Sequence, residues 1–185
     1  MSQELLTTLS AVQANARRLV AGVGPDQWDA ATPCTDWNVR QLVNHMGFTN
    51  RILGGAALGL APTFGPDDDH VGTDPVAGFA ERSEVNVTAW HSDGALDGSV
   101  EVPFEMPKVG ALSANVLDIG IHCWDLASAT GQDHGLTADQ VAMIDGCDRA
   151  LINEQVRAGG GFGDELTPAS DDTLASMLAF VGRGG

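Results

Sequence analysis

The sequence has few basic residues and few cysteines, and each shortage excludes a class of protein. Nine Lys and Arg stand against 25 Asp and Glu, which gives a formal net charge of −16 at pH 7. A field of that sign repels nucleic acids and anionic membranes, so we expect neither as a partner. Three cysteines in 185 residues are too few and too widely spaced for a disulfide framework.

Long apolar runs are also missing. No run approaches the length of about 18 apolar residues that identifies a transmembrane helix. The N-terminal residues lack the basic stretch that opens a signal peptide. Together with the cysteine content, this predicts a cytoplasmic protein. The chain also has neither a glycine-rich phosphate loop nor a nucleophile elbow.

Helical periodicity dominates the sequence and predicts an all-α fold. The length and the hydrophobic content of 43% suit one domain with a full core over residues 1–185. We predict a four-helix bundle with one long crossover loop over residues 62–75, followed by short C-terminal helices. Weak alternation over 96–108 predicts an extended segment or a short hairpin, and three glycines at 159–161 predict a flexible break. The predicted helices cover 3–23, 33 to about 59, 75–92, 111–130, 137–156 and 171–181.

Two helix ends carry clear signals. The second helix is predicted to open within residues 33–37, with Thr35 or Asp36 as its N-cap. Gly131 is predicted to be the C-cap of the helix over 111–130.

The helix over 111–130 carries a polar stripe on an otherwise apolar surface. At about 100° per residue, the four stripe residues fall within an arc of roughly 80°. No Lys, Arg or Glu occurs between Gly110 and Gly131, although a solvated helix face usually carries them. The stripe is therefore expected to face the protein interior. Its residues are Asn115, Asp118, His122 and Asp125.

The stripe has a functional and a structural interpretation. Asp118 and His122 are four residues apart, so their side chains lie on one face of the helix. In the functional interpretation, these two side chains bind one metal ion or bind each other as an acid–base pair. In the structural interpretation, the stripe is simply the solvent-exposed face of the helix. His45, on the second helix, is either a hydrogen-bonded core histidine or a third ligand. Three such ligands suit zinc or a similar divalent ion and leave one coordination position open. Asp125 is placed either to accept the outer N–H of His122 or to pair with an arginine elsewhere.

The other candidate residues are interpreted as structural. Two tryptophans are expected to anchor the core, three histidines to lie at the surface, and the cysteines to pack rather than bind metal. Replacing any cysteine is therefore expected to leave the metal content unchanged. The tryptophans are Trp37 and Trp124, the histidines are His70, His91 and His134, and the cysteines are Cys34, Cys123 and Cys147.

Three stretches together resemble a known family. They are residues 32–45, which read TPCTDWNVRQLVNH, residues 118–131, which read DIGIHCWDLASATG, and the ending LAFVGR at 178–183. These stretches are similar to actinobacterial proteins related to the N-terminal domain of mycothiol-dependent maleylpyruvate isomerase, within the DinB-like superfamily. The resemblance covers nearly the whole chain.

The resemblance implies a four-helix bundle with one divalent metal ion, usually zinc, held by His45, Asp118 and His122. The isomerase pattern has Glu where this chain has Asp118. The family link also implies chemistry on a low-molecular-weight thiol. We therefore expect a thiol-dependent transferase or isomerase whose metal activates a thiolate or water, with no general base assigned. The alternative is a non-catalytic metal-binding or dimerisation module, and the apolar run over 52–61 is a candidate homodimer contact.

Overall fold

The computed structural model describes residues 2–102, 104–158 and 162–184. Within these ranges it contains seven helices and one two-stranded antiparallel sheet, and the predicted all-α fold is confirmed. In chain order the elements are α1 (Ser2–Ala21), α2 (Val39–Ala57), α3 (Pro75–Trp90), β1 (Ser99–Glu101), β2 (Glu105–Pro107), α4 (Lys108–Thr130), α5 (Ala138–Leu151), α6 (Glu154–Ala158) and α7 (Thr173–Phe180).

The four long helices α1 to α4 build the core. Both α1 and α2 pack against α3 and α4. The helix α5 packs on α4, and α7 packs on α5. Each of these helices contributes fully buried apolar side chains, which drive the assembly by leaving water. The largest include Leu9, Leu42, Phe79, Trp90, Leu112, Ile119, Ile144 and Met177.

The segment between α2 and α3, residues 58–74, folds back over α2 and is anchored by His70. The Nε2 of His70 donates to the carbonyl of Gly65 at 2.9 Å, and its Nδ1 accepts from Arg51 at 3.0 Å. Its backbone N–H donates to the side chain of Asn44 at 2.7 Å. His70 is only 1% exposed, so the prediction of a surface histidine is wrong. Burial, and then the charge of Arg51, lower the pKa of His70, although its bond to Gly65 opposes this.

The helix α2 begins later than predicted. Asn38 accepts the N–H of Gln41 at 2.9 Å, and the side chain of Gln41 accepts the N–H of Asn38 at 2.9 Å. This capping box satisfies two N–H groups that a helix start leaves free. Neither Thr35 nor Asp36 is therefore the N-cap.

The remaining element predictions have mixed outcomes. Gly131 ends α4 in the left-handed conformation, with φ 69°, as predicted. The segment over 96–108 contains the short hairpin of β1 and β2. The helix predicted over 137–156 is two helices, because Ile152 leaves the helical conformation and Asn153 accepts N–H groups at the start of α6.

Several surface features complete the description. His91 is exposed and lies 3.0 Å from the hydroxyl of Ser10, while His134 is half-buried. The glycine run at 159–161 lies outside the described residues. Within the described ranges, no helix combines the length and the apolar character needed to cross a membrane.

Candidate metal centre

A turn ahead of α2 sets two side chains against the polar stripe of α4. The hydroxyl of Thr32 donates to the carbonyl of Trp37 at 2.8 Å and accepts the N–H of Cys34 at 3.1 Å. The N–H of Trp37 closes the turn on the carbonyl of Cys34 at 2.8 Å. Because the turn is fixed by these bonds, it holds Cys34 and Trp37 in place beside the helix bundle.

The structure brings His45, Asp118 and His122 together, with one ligand atom of each lying within 4.8 Å of the others. The Nε2 of His45 lies 3.1 Å from Oδ1 of Asp118, and the Nε2 of His122 lies 3.6 Å from the same oxygen. Ligands at tetrahedral zinc distances are about 3.3 Å apart. Both distances to Asp118 are therefore close to the separation of ligand atoms around such an ion. Asn115 does not join them, because its Oδ1 accepts from the indole of Trp90 on α3 at 3.0 Å.

The carboxylate of Asp118 supplies the fit test for such an ion. Its Oδ2 is buried and makes no hydrogen bond of normal geometry among the described residues, although the Thr49 side chain is near enough to help lower the pKa of Asp118. A buried carboxylate oxygen without a partner is costly, and a cation would satisfy it. Burial alone would raise the pKa of Asp118, but the charges of His45 and His122 hold it below its usual value. The group is thus ready to act as an anionic ligand.

His122 uses its other ring nitrogen to bind Asp125. The Nδ1 of His122 lies 2.8 Å from Oδ2 of Asp125. Oδ1 of Asp125 accepts from Nε of Arg183 at 2.9 Å. Both alternatives raised for Asp125 from the sequence therefore occur at once: it contacts the imidazole and it pairs with an arginine.

These contacts displace the pKa values of both groups. Burial alone would lower the pKa of His122, but the Asp118 carboxylate and the bond to Asp125 raise it to about 10. Burial alone would raise the pKa of Asp125, but His122 and then Arg183 lower it to about 2. The buried cluster is therefore held by ionic hydrogen bonds.

Cys34 is the contact that sequence reasoning missed. Its Sγ donates to Asp125 at 3.1 Å and lies 3.8 Å from Nδ1 of His122. Cys34 packs against the core, as expected, and in addition contacts two residues of the stripe. Cys123 and Cys147 are buried, as expected, and burial raises their pKa values to about 12 and about 11.

Aromatic rings close one side of the cluster. The ring of Trp37 stacks on His45 with centroids 4.3 Å apart and planes at 29°. The rings of His45 and His122 meet edge to face at 5.0 Å. Trp37 and Trp124 are half-buried and pack against the core. Trp37 thus also limits how His45 can turn.

The fold and the site define a helical bundle with a candidate metal centre between two of its long helices. The chain belongs to the family described as the mycothiol maleylpyruvate isomerase N-terminal domain, which matches residues 9–127. Uncharacterized proteins from two strains of Mycobacterium tuberculosis are 30% identical to it over 169 residues, covering 89% of this chain and 90% of theirs. No solved structure gives a significant match.

Proposed function

We propose that this protein binds one divalent ion, most favourably zinc, through His45, Asp118 and His122. The observation that carries the proposal is the convergence of two imidazole Nε2 atoms on a carboxylate whose second oxygen is buried and makes no hydrogen bond of normal geometry among the described residues. Imidazole nitrogen and carboxylate oxygen are ordinary zinc ligands. Membership of the family supports a mycothiol-related role.

We further propose that the protein is a thiol-dependent transferase or isomerase. A bound divalent ion would supply Lewis-acid chemistry that lowers the pKa of a thiol or of water. Two neutral imidazoles and one carboxylate would leave a formal charge of about +1 with such an ion, which favours an anion such as a thiolate. This local positive charge would offset the repulsion of anions by a chain of net charge −16.

The exposure of the three side chains supports a reactive site. His45 and Asp118 are 23% and 18% exposed, while His122 is 7% exposed. The exposed edges of His45 and Asp118 are the side from which a small molecule would have to approach. Trp37 covers one face of His45 and would exclude water there.

Cobalt substitution tests the proposal. Wild-type protein loaded with cobalt should gain a charge-transfer band in the near ultraviolet when 2-mercaptoethanol is added. His122→Ala should show no band, whereas His91→Ala, on the exposed end of α3, should behave like wild type. Failure to load cobalt contradicts the metal site. Loading without any thiol-dependent band contradicts only the thiol chemistry.

The second candidate is a non-catalytic metal-binding or dimerisation module. The observation that favours it is the exposed end of the apolar run over 52–61, where Leu58 and Leu60 are 51% and 61% exposed. A cobalt-loaded protein that ignores thiols and has a dimer mass by light scattering would support this alternative. A monomer mass at tens of micromolar would count against it.

A further inference from the structure

Asp125 is the most heavily bonded carboxylate in the described part of the site. It is completely buried. Its Oδ2 accepts from His122 at 2.8 Å, Cys34 at 3.1 Å and Nη2 of Arg183 at 3.1 Å. Its Oδ1 accepts from Nε of Arg183 at 2.9 Å. We call Cys34, His122, Asp125 and Arg183 the Asp125 cluster.

The Asp125 cluster is not a second metal site, although ligand atoms of Cys34, His122 and Asp125 lie within 4.8 Å of one another. The guanidinium of Arg183 already binds the acceptors that a cation would use, including Cys34 Sγ at 3.0 Å. Arginine keeps its charge at every accessible pH, so it would repel a second cation. The cluster instead contacts the candidate metal centre through His122, which belongs to both.

Its point of action is His122. The two nitrogens of this ring face opposite partners, Nδ1 toward Asp125 and Nε2 toward Asp118. A carboxylate that accepts the outer N–H of a metal-binding imidazole fixes the tautomer and the ring orientation. Arg183 grips both oxygens of Asp125, and such a fork fixes the plane of the carboxylate.

All three side-chain nitrogens of Arg183 donate to protein groups. Besides Asp125 and Cys34, its Nη1 donates to the carbonyl of Val181 at 3.1 Å. Its backbone N–H donates to Leu178 at 2.8 Å, which ties it to the end of α7. The side chain is only 10% exposed. Arg183 is therefore arranged to hold protein groups and not to bind a substrate.

We propose that Arg183 is a positioning residue for the metal centre, acting through Asp125 on His122. Arg183 lies in the C-terminal segment after α7, beyond residues 9–127 that the family model matches, so this segment supports the metal centre from outside the matched range. The inference rests on the proposed function, since it assumes that His122 binds the ion. Its consequence is that the C-terminal segment sets the metal affinity of the bundle.

The test compares zinc affinity, measured by competition with a chromophoric chelator, between the wild type and variants of Arg183. Loss of a partner behind a metal ligand typically costs about 10–100-fold in affinity, and we expect Arg183→Ala to fall in that range. Arg183→Lys keeps the charge without the two-pronged grip and should recover part of the loss. Guanidinium ion added to Arg183→Ala should also restore affinity.

Arg157→Ala is the matched control. Arg157 also anchors the C-terminal segment, because it donates to the carbonyls of Gly163 and Phe180, but among the described residues it makes no hydrogen bond to the Asp125 cluster. We expect this variant to keep wild-type zinc affinity. An equal loss in both alanine variants would mean general loosening of the segment and would overturn the inference.

A nitrogen NMR signature separates orientation from folding. In zinc-loaded wild type the ring of His122 should occur as a single tautomer, with a protonated Nδ1 and a metal-bound Nε2. In Arg183→Ala the same signals should broaden or shift, while the helix content by circular dichroism stays unchanged. Wild-type affinity and wild-type signals in Arg183→Ala would overturn the inference and leave the proposed function intact. Absence of zinc binding by the wild type would instead remove the proposed function on which the inference depends.

Discussion

At the scale of single residues, the burial of the Asp148 carboxyl group is unfavourable for stability. It lies on α5, is completely buried, and neither carboxylate oxygen has a hydrogen-bond partner among the described residues. Burial, and then the charge of Asp145, raise the pKa of Asp148 to about 8. The folded protein therefore holds this group protonated at neutral pH.

Replacing Asp148 should change how stability depends on pH. The pKa of Asp148 is 3.8 as a free group and about 8 in the folded chain, so the folded state binds more protons between these values. Stability should then fall as pH rises through this window, by at most about 1.4 kcal/mol per pH unit. Asp148→Asn should remove that slope and raise the free energy of unfolding at pH 8, measured by urea denaturation.

Asp145→Asn is the control for this experiment. Asp145 is half-buried, pairs with Arg149 at 3.0 Å and adds to the raised pKa of Asp148, so Asp145→Asn should reduce the pH slope without removing it, because Asp148 stays buried. Curves of stability against pH that run parallel in wild type and Asp148→Asn would contradict the interpretation.

The candidate ligands show what sequence can reveal at this scale. The spacing of Asp118 and His122 places them on one face because helical geometry is local. Cys34 and Arg183 carry no such signal, because they reach Asp125 across 91 and 58 positions of the chain. His70 was missed for the same reason: its partner Arg51 lies on another element.

At the scale of elements, close packing between the 58–74 segment and α3 depends on Gly78. A Cβ at this position would lie 2.6 Å from the carbonyl carbon of Val71 and would also meet its oxygen. Backbone cannot yield as a flexible side chain does, so the added carbon must push the segment off the helix. Gly146, in the middle of α5, is exposed and has nothing within 4 Å of an added Cβ.

This pair of glycines gives a matched prediction. Gly78→Ala should destabilise the protein by about 1–3 kcal/mol because overpacking outweighs the gain in helix propensity. Gly146→Ala should stabilise it by about 0.5–1 kcal/mol, because only the propensity changes. Urea denaturation measures both. A stabilised Gly78→Ala variant would show that the segment does not pack on α3 in this way.

The end of a helix could be predicted where the residue type at that end was itself the signal. Gly131 ends α4 because its left-handed conformation suits glycine. The start of α2 was misplaced because Thr35, Asp36 and Asn38 are all good N-caps, and the choice depends on Gln41 completing the box. The break between α5 and α6 has no proline to mark it.

At the scale of the whole molecule, metal binding and stability should be linked through protons. Without metal, the pKa of His122 is about 10, above its ordinary 6.5. The charged imidazole thus contributes stability that is fully present below pH 6.5 and is lost as pH rises through about 10. Zinc binds only the neutral imidazole, so His122 must lose its extra proton before the ion can bind. The bound ion would then take the place of that proton beside Asp118.

Zinc binding at pH 7 should therefore release about one proton from His122, while Asp118 and Asp125, whose pKa values are lowered, release none. Because zinc competes with that proton, the apparent affinity should rise about tenfold per pH unit until pH approaches 10.

Calorimetry at pH 7 in buffers of different protonation enthalpy counts the protons. His122→Ala should lose both the binding and the release, and His91→Ala should keep them. A binding heat that does not depend on the buffer would contradict the charged state of His122. Since zinc binds only the folded chain in this scheme, excess zinc should also raise the unfolding temperature, and more so at pH 9 than at pH 6.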